Sequence, residues 1–527
     1  MPLLLAALLT PTWPARADDP SPVATRRPLL EPEVVAAVLA DNPTVKAALS
    51  DCSSAALEVT AEEARYGAVL AADTTYTRAA SPALSPPSSV ATSTTDTFET
   101  GEELRKHLVW GTDLTLRVDE SVQSSRQVLV LPASLTGNSG PLAINTGPGY
   151  GGYVKFSVAQ PLLRGAGRNV AQADLRAARI NQTAAEITRD RTASEVLRDA
   201  LTAYWESWYS TAAVDIQWRA RNTARAQRDD ANLRIQTGSL APADGLTFET
   251  QLASREEDVV NAQAELQRRA ADLVRLLGHG EQHDPGAVPL DATPPTPSEL
   301  DGDLRKDALA ASPDIRSLLA QVELARVQAQ TAGDALRPRL DLSGYLEAQG
   351  LGYANVGPAF TQMGTLGAVS AYVNLTFELP LDDRRHRAER NRAELAIETA
   401  FNKLEQTRQK ILADVDTARA AVASARRRVE LARQTLAVAK RQLVAEQARY
   451  GTGGSTALQV LQAGDAVRSA ELRVARAETD LVQNHLVLLH LTGQLIAEVA
   501  AKGQNPELSR CSVWGRIGSF GHAGLSF

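Results

Sequence analysis

The residues of this 527-residue chain that could perform chemistry are few and badly spaced for it. His279 and His283 flank a Gly/Glu loop with no third ligand close in sequence, which reads as a surface loop rather than a zinc site. Cys52 and Cys511 are the only cysteines. Neither stands in a metal-ligand spacing, and one pair is not a disulfide framework. Gly165-x-Gly167 opens a helix, but no βαβ strand precedes it and the third glycine of a phosphate loop is missing, so it reads as a turn. Tyr204, Trp205, Trp208 and Tyr209 crowd one helical stretch and read as packing. No Ser/His/Asp, Cys/His or paired-carboxylate arrangement stands out. These residues point to no catalytic site, no cofactor and no metal centre. The composition is that of a folded protein, with 44% apolar and 22% charged residues, and a formal charge of −7 gives no reason to expect nucleic acid as a partner.

The elements that carry the chain are more informative than its reactive groups. An apolar run from Leu3 to Leu9, then Ala15-Arg16-Ala17 and Asp18-Asp19, reads as a secretory segment cleaved after Ala17, although the run is short and no basic residue precedes it; a greasy, unstructured start is the other reading. No apolar run is long enough for a spanning helix, which needs roughly 18 residues or more. A chain of this kind crosses a membrane only as a closed β-barrel, because lipid offers the backbone no other way to satisfy its hydrogen bonds.

The rest of the sequence is written twice. The shift that lays Arg234 on Arg449 also lays Gly238 on Gly453 and Leu246 on Leu461. It lays Leu252, Val259, Leu266 and Leu273 on Val467, Val474, Leu481 and Leu488, and Leu276-Leu277-Gly278 on Leu491-Thr492-Gly493. Each half opens alike, with Asn42-Pro43 and Ser312-Pro313, and each has a strand-to-helix proline, Pro161 and Pro380. The expected organisation is a leader over 1–17, a first repeat over 18–284, a Pro-rich linker over 285–302, a second repeat over 303–496 and a tail over 497–527 that shows no usable pattern. Strands are expected near 67–78, 150–160, 338–348 and 369–380, with helical hairpins near 165–278 and 382–495. The Ser/Thr/Pro-rich insertion at 79–149 holds an alternating run, Leu114 to Val118, and room for an extra hairpin.

Small or apolar residues recur through Ile411, Val415, Ala418, Val422, Ala425, Val429, Ala432, Leu436, Ala439 and Leu443 in steps of four and three. That 3.5-residue period keeps one seam facing a partner helix. Val460, Val467, Val474, Leu481, Leu488 and Leu495 repeat the device on the return helix. At 1.5 Å per residue the 382–450 helix would reach roughly 100 Å. The strands alternate apolar and polar residues: Val154, Phe156 and Val158 against Lys155 and Ser157; Val373, Leu375, Phe377 and Leu379 against Asn374, Thr376 and Glu378. Such strands fit a lipid face and a water face. Four strands per chain leave open edges, so several chains must pool them. A periplasmic structural coiled coil without a barrel fits the heptads alone equally well.

From about residue 31 to 496 the sequence resembles the TolC-like outer-membrane efflux family. The carrying stretches are Asn42-Pro43 with its Ala-rich helix, Gln160-Pro161-Leu162-Leu163, Ala203-Tyr204-Trp205, and the turns Arg234-Ile235-Gln236-Thr237-Gly238 and Arg449-Tyr450-Gly451-Thr452-Gly453. The resemblance implies a mostly α chain with a membrane β-barrel: a homotrimer with a twelve-stranded barrel in the outer membrane of a Gram-negative bacterium, continued by a periplasmic α-helical barrel. It implies a passive duct for efflux or secretion, not an enzyme, that contacts outer-membrane lipid and docks with a periplasmic adaptor and an inner-membrane pump. The adaptor-docking tips would be Gly238, Ser239 and Leu240, and Gly453, Gly454 and Ser455; glycine there also has the plain role of ending a helix left-handed. Matching by position makes Asp244, Tyr450, Gln459, Gln462 and Asp465 the candidates for a periplasmic gate. Glutamines stand where the family has acidic residues, and Ser455 where it has a latching arginine. Asp244 in triplicate, helped by Asp465, is the remaining cation ring; the alternative is a solvated carboxylate favoured by a helix start.

Overall fold

A computed structural model describes residues 28–85, 89–130, 141–238, 241–278, 288–289, 294–295, 297, 302–353, 355–452 and 454–501. The leader and its cleavage site, His279, His283, Cys511, Ser239, Leu240, Gly453, most of the linker and the tail after 501 lie outside the described residues.

In chain order the elements are β1 (Pro28–Leu29), α1 (Glu31–Asp41), α2 (Pro43–Ala64), β2 (Ala68–Ser85), β3 (Ser89–His107), β4 (Asp113–Val130), β5 (Pro141–Pro161), α3 (Arg168–Ala171), α4 (Ala173–Gln236) and α5 (Pro242–Leu277). There follow β6 (Val288–Pro289), α6 (Leu304–Ala311), α7 (Pro313–Asp334), β7 (Arg339–Gly352), α8 (Gly357–Gly364), β8 (Val369–Glu378), α9 (Arg384–Gly451), α10 (Ala457–Leu491) and α11 (Leu495–Ala501). The chain is mostly helical. Neither α4 nor α9 contains a proline, and no glycine interrupts either before the last residue of α9, which removes the usual causes of a break. No described helix is long and apolar enough to cross a membrane.

The chain gathers into two compact units, each assembled from separated segments. The first, within residues 1–52, 185–317 and 404–512, is helical. Its main core packs Val34, Val35 and Val38 of α1 against Leu201, Tyr204 and Trp205 of α4, Leu273 and Leu277 of α5, and Leu486 and Leu489 of α10. Trp205 is 1% exposed, and Tyr204 meets it edge-on with ring centroids 5.1 Å apart. The Tyr204 hydroxyl donates to the carbonyl of Leu29 at 3.1 Å, so the polar tip of a buried aromatic ring is satisfied. The aromatic cluster is therefore packing. Along α9, Ile411, Val415, Ala418, Ala425, Val429 and Ala439 are buried, and two further clusters set the first five against α6 and α10.

The repeated Asx/Ser-Pro and Leu-x-Gly motifs meet each other. Asn42 donates to the carbonyl of Leu276 at 2.7 Å while its Oδ1 accepts from the amide of Thr44 at 2.8 Å, which caps α2. Gly278, at φ 81°, lies so close that a Cβ there would sit 2.5 Å from the carbonyl oxygen of Asp41. In the other half, a Cβ on Gly493 (φ 70°) would sit 2.6 Å from Cβ of Ala311, and Ser312 caps α7 through its Oγ at 3.4 Å from the amide of Ile315.

The second unit, within residues 53–184 and 318–403, is built around a sheet of strand order β2-β3-β4-β5-β7-β8. Every neighbouring pair is antiparallel. This corrects the expected four strands: the chain supplies six, and the added pair, β3 and β4, comes from the 79–149 insertion. The first strand is also longer than expected, running to Ser85. Beyond β5 the chain turns at Gly165, whose amide donates to the buried carboxylate of Asp334 at 2.6 Å. The turn reading of Gly165-x-Gly167 agrees with that geometry.

Candidate functional site

The two faces of the sheet differ sharply, and register shows it row by row. Leu70, Leu104, Leu116, Phe156, Leu346 and Ala371 lie in one continuous cross-strand row through all six strands. All five large side chains of that row are exposed, Leu70 by 73%. One residue along each strand, the adjoining row is Ala71, Glu103, Arg117, Lys155, Glu347 and Ser370. Because successive side chains point to opposite faces, a single step turns a leucine-rich surface into a charged one. The apolar face continues through Leu342, Val373, Leu375 and Phe377. It ends, going toward the β2–β3 turn, at the row Tyr76, Phe98, Val122 and Tyr150. Beyond that row the sequences of β2 and β3 are rich in Ser, Thr and Ala. The Ala68-to-Tyr76 span suits the roughly nine to eleven residues that carry a tilted strand through a bilayer, and an aromatic row is what borders such a band.

The opposite face is a charge network. Arg117 reaches Asp119 at 2.6 Å, Asp73 at 3.2 Å and Glu103 at 3.3 Å, tying β2, β3 and β4 together. Gly101 makes room for that fork: a Cβ there would sit 2.5 Å from both the Arg117 guanidinium and the Asp119 carboxylate. Lys155 pairs with Glu347 at 3.5 Å and lies 3.9 Å over the Tyr345 ring, which stacks on Tyr372. The alternating run Leu114 to Val118 contains Arg117 but does not locate it at this junction, because its partners Asp73 and Glu103 come from other strands.

Two carboxylates interrupt the apolar face. Glu102 on β3 and Glu120 on β4 are exposed on the Leu104 and Leu116 side. Among the described residues neither has a salt bridge or side-chain hydrogen bond.

The helical turns belong to the first unit. Two residues past the end of α4, Gly238 sits in the left-handed conformation at φ 75°, and α5 starts with Pro242 in its first turn. α9 ends where the amide of Gly454 donates to the carbonyl of Arg449 at 2.8 Å. Thr456 and Gln459 form a capping box at the start of α10, and Ser455 donates to Glu446 at 2.8 Å. The candidate gate residues therefore separate. Gln459 is occupied as a cap, and Gln462 is exposed. Asp465 is held by Arg255 of α5, itself 8% exposed in its side chain and paired with Asp258 at 2.6 Å. Tyr450 lies under the Arg234 guanidinium, which stands 5.2 Å from the ring centroid, so side chains from the two turns of one chain meet. Arg234 is a contact that matching by position missed. The Asp244 side chain lies outside the described residues.

Residues 304–494 match the family model of the outer membrane efflux protein. No curated protein matches the chain in sequence. Solved structures match over nearly its whole length. A membrane protein from Pseudomonas aeruginosa has 19% identity and a TM-score of 0.63, covering 89% of this chain and 92% of that one. CusC, described for transmembrane channel formation, has 15% identity and a TM-score of 0.63, covering 88% and 92%. The outer membrane channel CmeC of Campylobacter jejuni has 14% identity and a TM-score of 0.63, covering 90% and 89%. The TolC-like resemblance thus holds in sequence over the second half and in fold along the chain.

Proposed function

We propose that this protein is a subunit of an outer-membrane efflux duct: a passive conduit whose sheet lies in the outer membrane and whose helices extend into the periplasm. One observation carries the reading. A leucine-rich row across six strands stands exposed, its large side chains by 40–73%, beside a row of paired charges, on a sheet whose end strands are open. Such a surface is at home only with lipid on one side and water on the other. Three copies joined edge to edge would close the wall. Exposed apolar residues on the helices, among them Leu246 and Val260 on α5 and Leu431 and Val438 on α9, stand seven or fourteen residues apart and supply seams for neighbouring copies.

The turns are the natural contact for a periplasmic adaptor through Gly238, Ser239, Leu240, Gly453, Gly454 and Ser455, with an inner-membrane pump supplying the energy. The Arg234–Tyr450 contact joins the two turns of one chain and would hold them closed, with Asp244 in triplicate as a cation ring. The periplasmic coiled coil without a barrel is disfavoured, since it leaves the leucine-rich face in water. Fractionation tests the proposal: the protein should sediment with outer membranes and require detergent for release. Recovery in the soluble periplasmic fraction would overturn it.

A further inference from the structure

The expected twelve-stranded wall assumes that each chain gives four strands. We propose instead that the assembled barrel has eighteen strands, closed by pairing β8 of one copy with β2 of the next. This rests on the threefold duct proposed above and concerns how its wall is made.

The β3–β4 hairpin is inside the sheet and not an appendage on it. β3 is laddered to β2 from Ala68↔Lys106 to Ser85↔Ser89, and β4 to β5 from Asp113↔Ala159 to Val130↔Pro141. Taking the hairpin out would strip both ladders and force β2 onto β5. It would also break the Arg117 fork, which spans β2, β3 and β4. Backbone groups unpaired in lipid cost several kcal/mol each, so the hairpin stays in the wall.

The edges suit a second copy of the same chain. β2 and β8 are the two ends of the strand order. Five successive antiparallel steps separate them, so they run in opposite directions, and copies joined β8 to β2 continue the antiparallel alternation without a break. β8 spans Val369–Glu378, and its length matches the part of β2 that carries the apolar band, Ala68 to Tyr76. Leu70 and Tyr76 on one edge, and Val373, Leu375 and Phe377 on the other, face the same side, so the join extends the lipid face. One copy cannot close alone, because the smallest membrane barrels have about eight strands. Barrel diameter grows roughly linearly with strand number, so an eighteen-stranded wall is about 1.5 times as wide as a twelve-stranded one. The conduit at the membrane then admits bulkier cargo than the family plan implies, and any selection falls to the helical turns.

Paired cysteines in the membrane-embedded protein test this. Leu116→Cys with Phe156→Cys, register partners on β4 and β5, should bridge within one chain. Leu70→Cys combined in turn with Val373→Cys, Leu375→Cys or Phe377→Cys should bridge between chains for at least one pair, giving covalent trimers on non-reducing gels while the single variants give none. Electron-microscope projections of the trimer should show the wider ring. Trimers in the outer membrane that bridge Leu70→Cys to Phe156→Cys within a chain would overturn the eighteen-strand wall and leave the duct standing. Dimers would overturn the strand number by mass alone. Protein absent from the outer membrane would overturn both readings.

Discussion

Placing arginine at Val373 separates a lipid face from a merely exposed one. Val373 stands midway along β8, 77% exposed, on the side of Leu375 and Phe377, and Asn374 beside it points to the charged side. If the sheet faced water on both sides, either substitution would be worth within about 0.5 kcal/mol, as for most surface changes. If the Val373 side faces lipid, arginine near mid-depth costs about 2–4 kcal/mol. In the proposed assembly of three copies each would carry the change, and the wall would lose about 6–12 kcal/mol, comparable with the roughly 5–15 kcal/mol that holds a whole domain folded. Asn374→Arg adds a charge to a water-filled, already charged surface and should stay within about 0.5 kcal/mol. The assay is refolding of purified protein into phospholipid vesicles across a urea series, followed by gel mobility of the unheated sample. Val373→Arg should lose most of its inserted fraction at urea concentrations the parent tolerates, with Asn374→Arg following the parent. Coincident midpoints for the two variants would refute the face assignment.

Glu120→Val should move the other way, because it removes a carboxylate from the apolar side: inserted stability should rise by about 1 kcal/mol per chain, read in the same urea series. Gly278→Ala should lower the thermal midpoint, since the left-handed backbone and the contact with Asp41 both oppose a side chain there, for a loss of about 1–3 kcal/mol. His490, bonded to Ser194 at 2.8 Å, has its pKa held below the ordinary 6.5, chiefly by burial, with Arg198 and Arg191 adding to that and Glu195 and Asp199 opposing it. The folded state then favours the neutral ring and the unfolded chain takes the proton more readily, so this contribution is whole above 6.5 and lost as pH falls below it. His490→Gln should flatten the decline in thermal midpoint between about pH 7.5 and 5.5 relative to the parent.

The long-helix part of the fold is legible because period and length agree. The seam from Ile411 to Leu443 is spaced for one partner face, no proline or glycine breaks it, and its buried positions are the ones the spacing selects. The β7–β8 pair is legible for the same reason at period two. The insertion is harder, because its strands run past the apolar band. Past Tyr76 and before Phe98 the sequence is mostly Ser, Thr and Ala with few large apolar residues, so no alternation marks β2 to Ser85 or the first half of β3. Glu102 and Glu120 weaken the pattern even within the band. Position along the chain alone does not show what the gate candidates touch, and side-chain geometry redistributes them. Gln459 turns inward to cap its own helix, and Asp465 is claimed by an arginine from another helix. Pairings between distant segments, such as Arg234 with Tyr450, leave no local spacing to read.

The central claim is that one face of this sheet meets lipid and the other meets water. Leu375→Cys and Thr376→Cys, neighbours on β8, report the two sides separately when intact outer-membrane vesicles are treated with a membrane-impermeant maleimide. Thr376→Cys should label through the lumen, and Leu375→Cys should stay unlabelled until detergent dissolves the membrane. Equal labelling of both in intact vesicles would contradict it.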